Sequence, residues 1–270
     1  MIPSVRLVKS GVVTSRLGFG TSRLHYLSSR KRIDMLAAII DLGIIHVDTA
    51  PAYGDGLAEA ALGGFLRQGR GRIVVATKYG IPADPFLQVF PQVGAPLRGA
   101  RAVVRSLGFG SFKRPPLSAA GLRASAEQSL RRLRIDYIDI LFLHEPSIDR
   151  LGDPHEMIEE FCQLRKRGLI RTFGLAGAWS AIAPILSAAP GLGDVVQTSE
   201  TEWPESSPPD ITYGAIAGGA QGYFASGPAS DVASERLYAA LSRRPNGVVL
   251  VSTTKLRNLW ILVQQADASA

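Results

Sequence analysis

The chain has 270 residues, 46% of them hydrophobic and 20% charged, with a formal net charge of +7. That is enough for one large domain or two small ones, and no run approaches the roughly 20 uninterrupted apolar residues of a membrane span. A single cysteine, Cys162, excludes an internal disulfide, the N-terminus lacks the charged-then-apolar layout of a secretory signal, and a cytoplasmic protein is the expectation.

The basic side chains are dispersed. Arg30-Lys31-Arg32, Arg131-Arg132 with Arg134, Arg165-Lys166-Arg167 and Arg243-Arg244 all fall on helical stretches or their ends. None is interleaved with aromatic residues as a single-strand binder requires, so nucleic acid is not an expected partner. Most read as solvated helix faces, which leaves one or two cations for a phosphate-bearing small molecule.

In chain order, Leu17-Gly18-Phe19-Gly20-Thr21-Ser22 is a short apolar strand ending in small residues, where a backbone can approach a ligand closely. It is not GxGxxG, so the dinucleotide fingerprint of a doubly wound domain is absent there. Apolar periodicity predicts a helix over 31–42, ending at Gly43. Residues 44–47 are an apolar strand, with Asp48 at its end and Tyr53 in the following turn. A helix over 57–67 leads to a β-branched strand over 72–80 that carries Lys78 near its end. An ammonium at a buried strand end calls for a carboxylate, and Asp48 is the obvious one if the strands are neighbours. Snorkelling out at the strand end is the alternative.

From 81 to 118 the periodicity dissolves into Pro, Gly, Phe and Arg, as in a lid, binding loop or disordered insertion. A helix over 122–133 precedes a strand over 136–146 that ends with His144. The remaining expected elements are a helix over 154–167, a strand over 172–176, a helix over 179–188 and strands over 194–198 and 211–215. A Gly-rich loop at 218–222, a helix over 233–243, a strand over 247–251 and a helix over 253–265 complete the chain. His155 and Glu159 lie at i and i+4, but two ligands make a poor metal site, and no metal is expected.

Eight short apolar strands in βα alternation predict a (β/α)8 TIM barrel, with a single domain over 1–270 and a long insertion at about 81–118. Residues 199–210 are Pro-rich and polar, so the sixth strand should lack its helix. Asp48, Tyr53, Lys78 and His144 then share the face formed by the strand ends. An adjacent lysine favours the ionised form of a tyrosine and lowers its pKa. Asp48 would hold Lys78 charged, and His144 could donate a hydrogen bond to a carbonyl oxygen. The set suits proton delivery to an oxygen as hydride reaches its carbon.

These residues resemble the aldo-keto reductases. The match runs through Gly18-Phe19-Gly20-Thr21, His46-Val47-Asp48-Thr49-Ala50-Pro51-Ala52-Tyr53-Gly54 with Glu59, Thr77-Lys78, and Leu130, Leu133, Asp136, Tyr137, Asp139, Leu141 and His144. The resemblance implies interconversion of an aldehyde or ketone and an alcohol with NADP(H), NAD(H) being the alternative, and no metal. Tyr53 is then the general acid, tuned by Lys78 and Asp48, with His144 orienting the carbonyl. It also implies cofactor contacts at Gly20, Thr21, Gln197 (carboxamide), Tyr213 (ring stacking), Ser252, Thr253, Lys255 and Arg257 (adenosine phosphate). One departure is Ala176-Gly177-Ala178, where the family often carries a Ser-Asn pair. A cofactor-binding regulator or sensor of the same fold with weak or lost turnover is therefore the second reading. A small-molecule carbonyl or alcohol is the expected partner, and nothing in the pattern fixes an oligomeric state.

Overall fold

The computed structural model describes residues 2–67, 70–84, 87, 115–216 and 230–268. Most of the insertion expected at 81–118 and all of the Gly-rich loop at 218–222 lie outside the described residues. Two short strands, β1 (Ser4–Arg6) and β2 (Val13–Ser15), pair as an antiparallel hairpin. Eight more follow: β3 (Leu17–Gly20), β4 (His46–Asp48), β5 (Val74–Tyr79), β6 (Ile138–His144), β7 (Ile170–Ala176), β8 (Val195–Ser199), β9 (Ile211–Tyr213) and β10 (Val248–Val251). They close into a barrel in chain order, every neighbour parallel, with β10 returning to β3. This is the expected (β/α)8 TIM barrel.

The helices are α1 (Ser29–Asp41), α2 (Leu57–Leu66), α3 (Ala119–Leu133), α4 (Ile148–Leu151), α5 (Pro154–Lys166), α6 (Trp179–Ala188), α7 (Ser230–Arg243) and α8 (Leu256–Ala268), with short 3-10 turns at Leu24–Tyr26 and Pro190–Leu192. Caps explain where the boundaries depart from periodicity. Ser118 accepts the Gly121 N–H at 3.1 Å, so α3 starts before its first apolar position, and Asp153 accepts the His155 N–H at 2.8 Å with Pro154 in the first turn of α5. Thr253 accepts the Lys255 N–H at 3.1 Å, which delays α8 to Leu256.

Strand alternation divides the core in two. Outward residues such as Val47, Val75, Leu141 and Phe173 meet the helices, while Val74, Ala76, Ile140, Phe142 and Leu250 fill the barrel. Each fully buried Leu or Phe contributes about 1.5–3 kcal/mol. The hairpin was not among the sequence-predicted elements, because three-residue strands carry too little periodicity. Its neighbourhood supplies Val5 and Leu7 to the interior cluster beside Val74, Val195, Ile211 and Val248, all at or near the first residue of their strands. It therefore plugs the floor of the barrel and leaves the opposite rim for a site.

Between β8 and β9, residues 200–210 contain no helix, as expected. The flank is covered instead by Trp203, 6% exposed, with the Arg243 guanidinium 3.7 Å above its ring and Arg244 at 5.3 Å. Asp210 pins the link to β8 by accepting the Val196 N–H at 2.9 Å. No helix among the described residues is long and apolar enough to cross a membrane.

Candidate active site

On β4, His46 and Asp48 point into the barrel and Val47 points out. On β5, Lys78 follows Val74 and Ala76 along the inward row. Asp48 pairs with Ala76, so Lys78 rises one inward step above it. The Lys78 Nζ donates to Asp48 Oδ1 at 2.5 Å, to the Thr49 carbonyl at 2.9 Å and to the Tyr53 hydroxyl at 3.3 Å. Three protons meet three acceptors. Gln197 donates from Nε2 to the other Asp48 oxygen at 3.1 Å, so both carboxylate oxygens are engaged. Asp48 and Lys78 are each only 2% exposed, and two such charges are tolerable in the interior because they are paired and hydrogen-bonded.

Tyr53 reaches this pair from the turn after β4, its N–H donating to the Ala50 carbonyl at 3.0 Å. Gly54 follows at φ +61°, and a side-chain carbon there would overlap His25 Cβ, so the turn requires glycine. His144, at the tip of β6, presents its ring edge-on to Tyr53, with centroids 6.1 Å apart and planes at 86°. The four catalytic candidates thus meet at one rim.

The electrostatics correct one expectation. Burial raises the Tyr53 phenol above its usual 10; Lys78 pulls it down, as expected, but does not overcome burial, and Asp48 adds to the rise. Tyr53 keeps part of its surface exposed, yet its hydroxyl sits against buried Lys78, where desolvation dominates. Burial lowers the Lys78 ammonium, but Asp48 and then Tyr53 more than offset it, and its pKa ends above 10.5. The stable state is therefore an ammonium beside a protonated phenol. Beneath them His46 accepts or donates across 3.3 Å to Thr14 Oγ1, and burial, followed by the Lys78 charge, lowers its pKa to about 3. His46 is neutral.

The cofactor candidates lie around the same rim. Thr21 donates its N–H to the Asp48 carbonyl at 2.8 Å, and Gly20 pairs with Asp48 across β3 and β4. Ser252 and Thr253 follow β10, which pairs with β3, and Tyr213 ends β9 beside Ser199. Burial raises the Tyr213 phenol. Lys255 and Arg257 are exposed at the start of α8. The buried Gln197 Oε1, Thr21 Oγ1 and Ser252 Oγ have no hydrogen-bond partner among the described residues. Unsatisfied polar atoms on β8 and just past β3 and β10 fit a polar ligand such as a nicotinamide dinucleotide, the Gln197 oxygen suiting a carboxamide N–H.

Residues 16–190 match the model of the Aldo/keto reductase family. The chain belongs to that family. Among curated family relatives, D-threo-aldose 1-dehydrogenase of Pseudomonas sp is 34% identical over 175 residues, 62% of this chain and 51% of that protein. The NADH-specific methylglyoxal reductase of Escherichia coli (strain K12) is 30% identical over 174 residues, 64% of this chain and 49% of that protein. The chain spans about half the length of the curated relatives it matches. An aldo-keto reductase from Klebsiella pneumoniae in complex with NADPH superposes with a TM-score of 0.70 at 21% identity, covering 99% of this chain and 90% of that one. A holo-form aldo-keto reductase from Bacillus halodurans gives 0.69 at 20%, covering 99% and 91%. At such identities the superpositions show the fold.

Glu59, part of the family-like motif, sits outside the rim: it accepts from Thr77 Oγ1 at 2.7 Å and from Arg132 Nε at 2.7 Å, tying α2 to β5 and α3. Two contributors escaped the sequence reading. The Thr49 carbonyl is backbone and leaves no residue-type signature. The Gln197–Asp48 bond joins positions far apart in sequence, which only the closed barrel brings together.

Proposed function

We propose that this chain is an NADP(H)-dependent oxidoreductase that interconverts an aldehyde or ketone and an alcohol. The observation that carries the reading is the buried chain from Asp48 through Lys78 to the Tyr53 hydroxyl. Tyr53 donates a proton to the carbonyl oxygen in reduction and accepts it back in oxidation. A raised phenol pKa keeps that proton available at neutral pH, and the fixed Lys78 charge stabilises the phenolate left behind. His144, edge-on to Tyr53, orients the carbonyl oxygen toward the phenol. Gly20, Thr21, Gln197, Tyr213, Ser252 and Thr253 would hold the cofactor, with Lys255 and Arg257 on its 2′-phosphate. When bound, the reduced nicotinamide supplies the hydride. NAD(H) is the alternative, since one relative is named as NADH-specific.

The test is a fluorescence titration with NADPH and NADH, followed by a panel of carbonyl compounds with each. Tyr53→Phe should retain cofactor binding and lose most of kcat, about 100-fold or more. A variant that keeps full turnover on every compound the parent reduces would remove Tyr53 from the role of acid. Cofactor binding without turnover of any compound in the parent would favour the sensor reading, to which the side-chain-poor Ala176-Gly177-Ala178 stretch points.

A further inference from the structure

The strand tips that carry Lys78 and His144 are gripped by one side chain that lies in neither strand. The ladder between β5 and β6 runs through Lys78 opposite Phe142 and Tyr79 opposite Leu143, and those are its last pairs. Immediately beyond it both chains turn sharply. Gly80 adopts φ +132° and Glu145 φ +50°, the second a conformation that L side chains rarely take. The two turns nearly touch, since a side-chain carbon on Gly80 would lie 2.7 Å from the His144 carbonyl oxygen. Such turns rotate carbonyls away from the ladder, and each needs a donor.

Arg150, in α4, is that donor. Its Nη1 donates to the Glu145 carbonyl at 2.9 Å and its Nη2 to the Gly80 carbonyl at 2.8 Å. The same guanidinium donates from Nε and Nη2 to the Pro115 carbonyl at 3.2 and 3.1 Å, and the Arg150 carbonyl accepts the Leu117 N–H at 2.7 Å. A planar fork with five donors can bridge acceptors from separate segments in one geometry, which a lysine ammonium cannot reproduce.

We infer that Arg150 is a positioning residue for the reaction: by cross-linking the Gly80 and Glu145 carbonyls it sets the separation of Lys78 on one strand and His144 on the next. It touches neither reacting atom and acts through the backbone one residue past His144 and two past Lys78. The kinetic part of the inference rests on the carbonyl reduction proposed above; the structural part does not. The competing role is anchoring of residues 115–117 alone, which would alter substrate binding and leave His144 undisturbed.

The experiment uses the full chain with Arg150→Ala, Arg150→Gln and Arg150→Lys, so that one variant failing to fold leaves two. The imidazole NMR signals of His144 are followed without ligand; only four histidines are present, which makes assignment by substitution direct. Expected is a shifted or broadened His144 signal in each folded variant, with the His46 signal in place. With a carbonyl that the parent reduces, kcat should fall about 10- to 100-fold while the NADPH Kd holds within about twofold, and Arg150→Lys should recover only part of the loss. An unchanged His144 signal overturns the inference, as does a raised KM at unchanged kcat. A parent that reduces no carbonyl sinks the proposed function instead, and the His144 signal still decides the role of Arg150.

Discussion

Lys78 has no spare proton: Asp48, the Thr49 carbonyl and Tyr53 take all three, and in the proposed reaction Tyr53 is the acceptor that would change state. Removing that ammonium deletes the main influence lowering the phenol pKa, so Lys78→Met should move the rising limb of alcohol oxidation to higher pH by about one unit or more, besides lowering kcat. Oxidation rates across pH check this, and a limb that stays in place or moves down would show that Lys78 serves only to position the ring. His46 makes a separate prediction about folding. Its pKa is about 3 in the fold, against 6.5 for an unburied histidine. Between those values the unfolded chain binds a proton that the barrel refuses, so this contribution to stability is complete above pH 6.5 and is lost as pH falls toward 3. Denaturant unfolding at pH 7 and pH 5 should show the parent losing about 2 kcal/mol more than His46→Gln; equal losses would mean that His46 charges inside the fold. At this scale the sequence was legible where function coincides with position. Asp48, Lys78 and His144 each end or nearly end an apolar strand, and those ends share a rim. The sign of the Tyr53 shift was not legible, because it is a difference between depth and charge, and depth is a property of the closed barrel.

Two adjacent glycines in α2 separate propensity from packing. A methyl on Gly63 would overlap the Arg132 carbonyl oxygen and lie 2.7 Å from that of Leu133, so α2 and α3 touch backbone to backbone. Gly64, one residue on, has nothing among the described residues within 4 Å of the same position. Gly63→Ala should cost about 1–3 kcal/mol by forcing the helices apart, whereas Gly64→Ala should stabilise by about 0.5–1 kcal/mol through helix propensity. Thermal unfolding of the two variants should move in opposite directions, and a shared sign would refute the close contact. Periodicity finds α2 from its Ala and Leu content but cannot say which glycine faces a neighbour. The hairpin of β1 and β2 escaped for a similar reason: its strands are three residues long, and their value lies in what Val5 and Leu7 meet across the floor. Arg150 was hidden because its role depends on two left-handed turns, at Gly80 and Glu145, that no residue pattern marks.

For the whole molecule, the missing sixth helix leaves a flank that Trp203 and two arginines cover. Trp203→Ala should therefore cost about 3–5 kcal/mol, while Trp260→Ala, at a residue 54% exposed on α8, should stay within about 0.5 kcal/mol. Urea titrations compare them directly, and equal midpoints would mean that the link at 200–210 needs no seal. The absence of that helix was legible from the Pro-rich, polar run; its replacement was not, because Arg243 ends α7 and Arg244 directly follows it, far along the chain. The order of the barrel has a consequence in time. Leu17 pairs with Val249, so the ring is completed only between its first and last staves. A ribosome adding roughly 5–20 residues per second needs on the order of 10–50 s to travel from one to the other. Any sheet that forms within that interval has two unpaired edges, and the apolar plug has no closed ring to stopper. Synthesis arrested shortly before β10 would already have made Asp48, Lys78, Tyr53 and His144, and its product should betray itself by adhesion to other chains rather than by a lost chemical group.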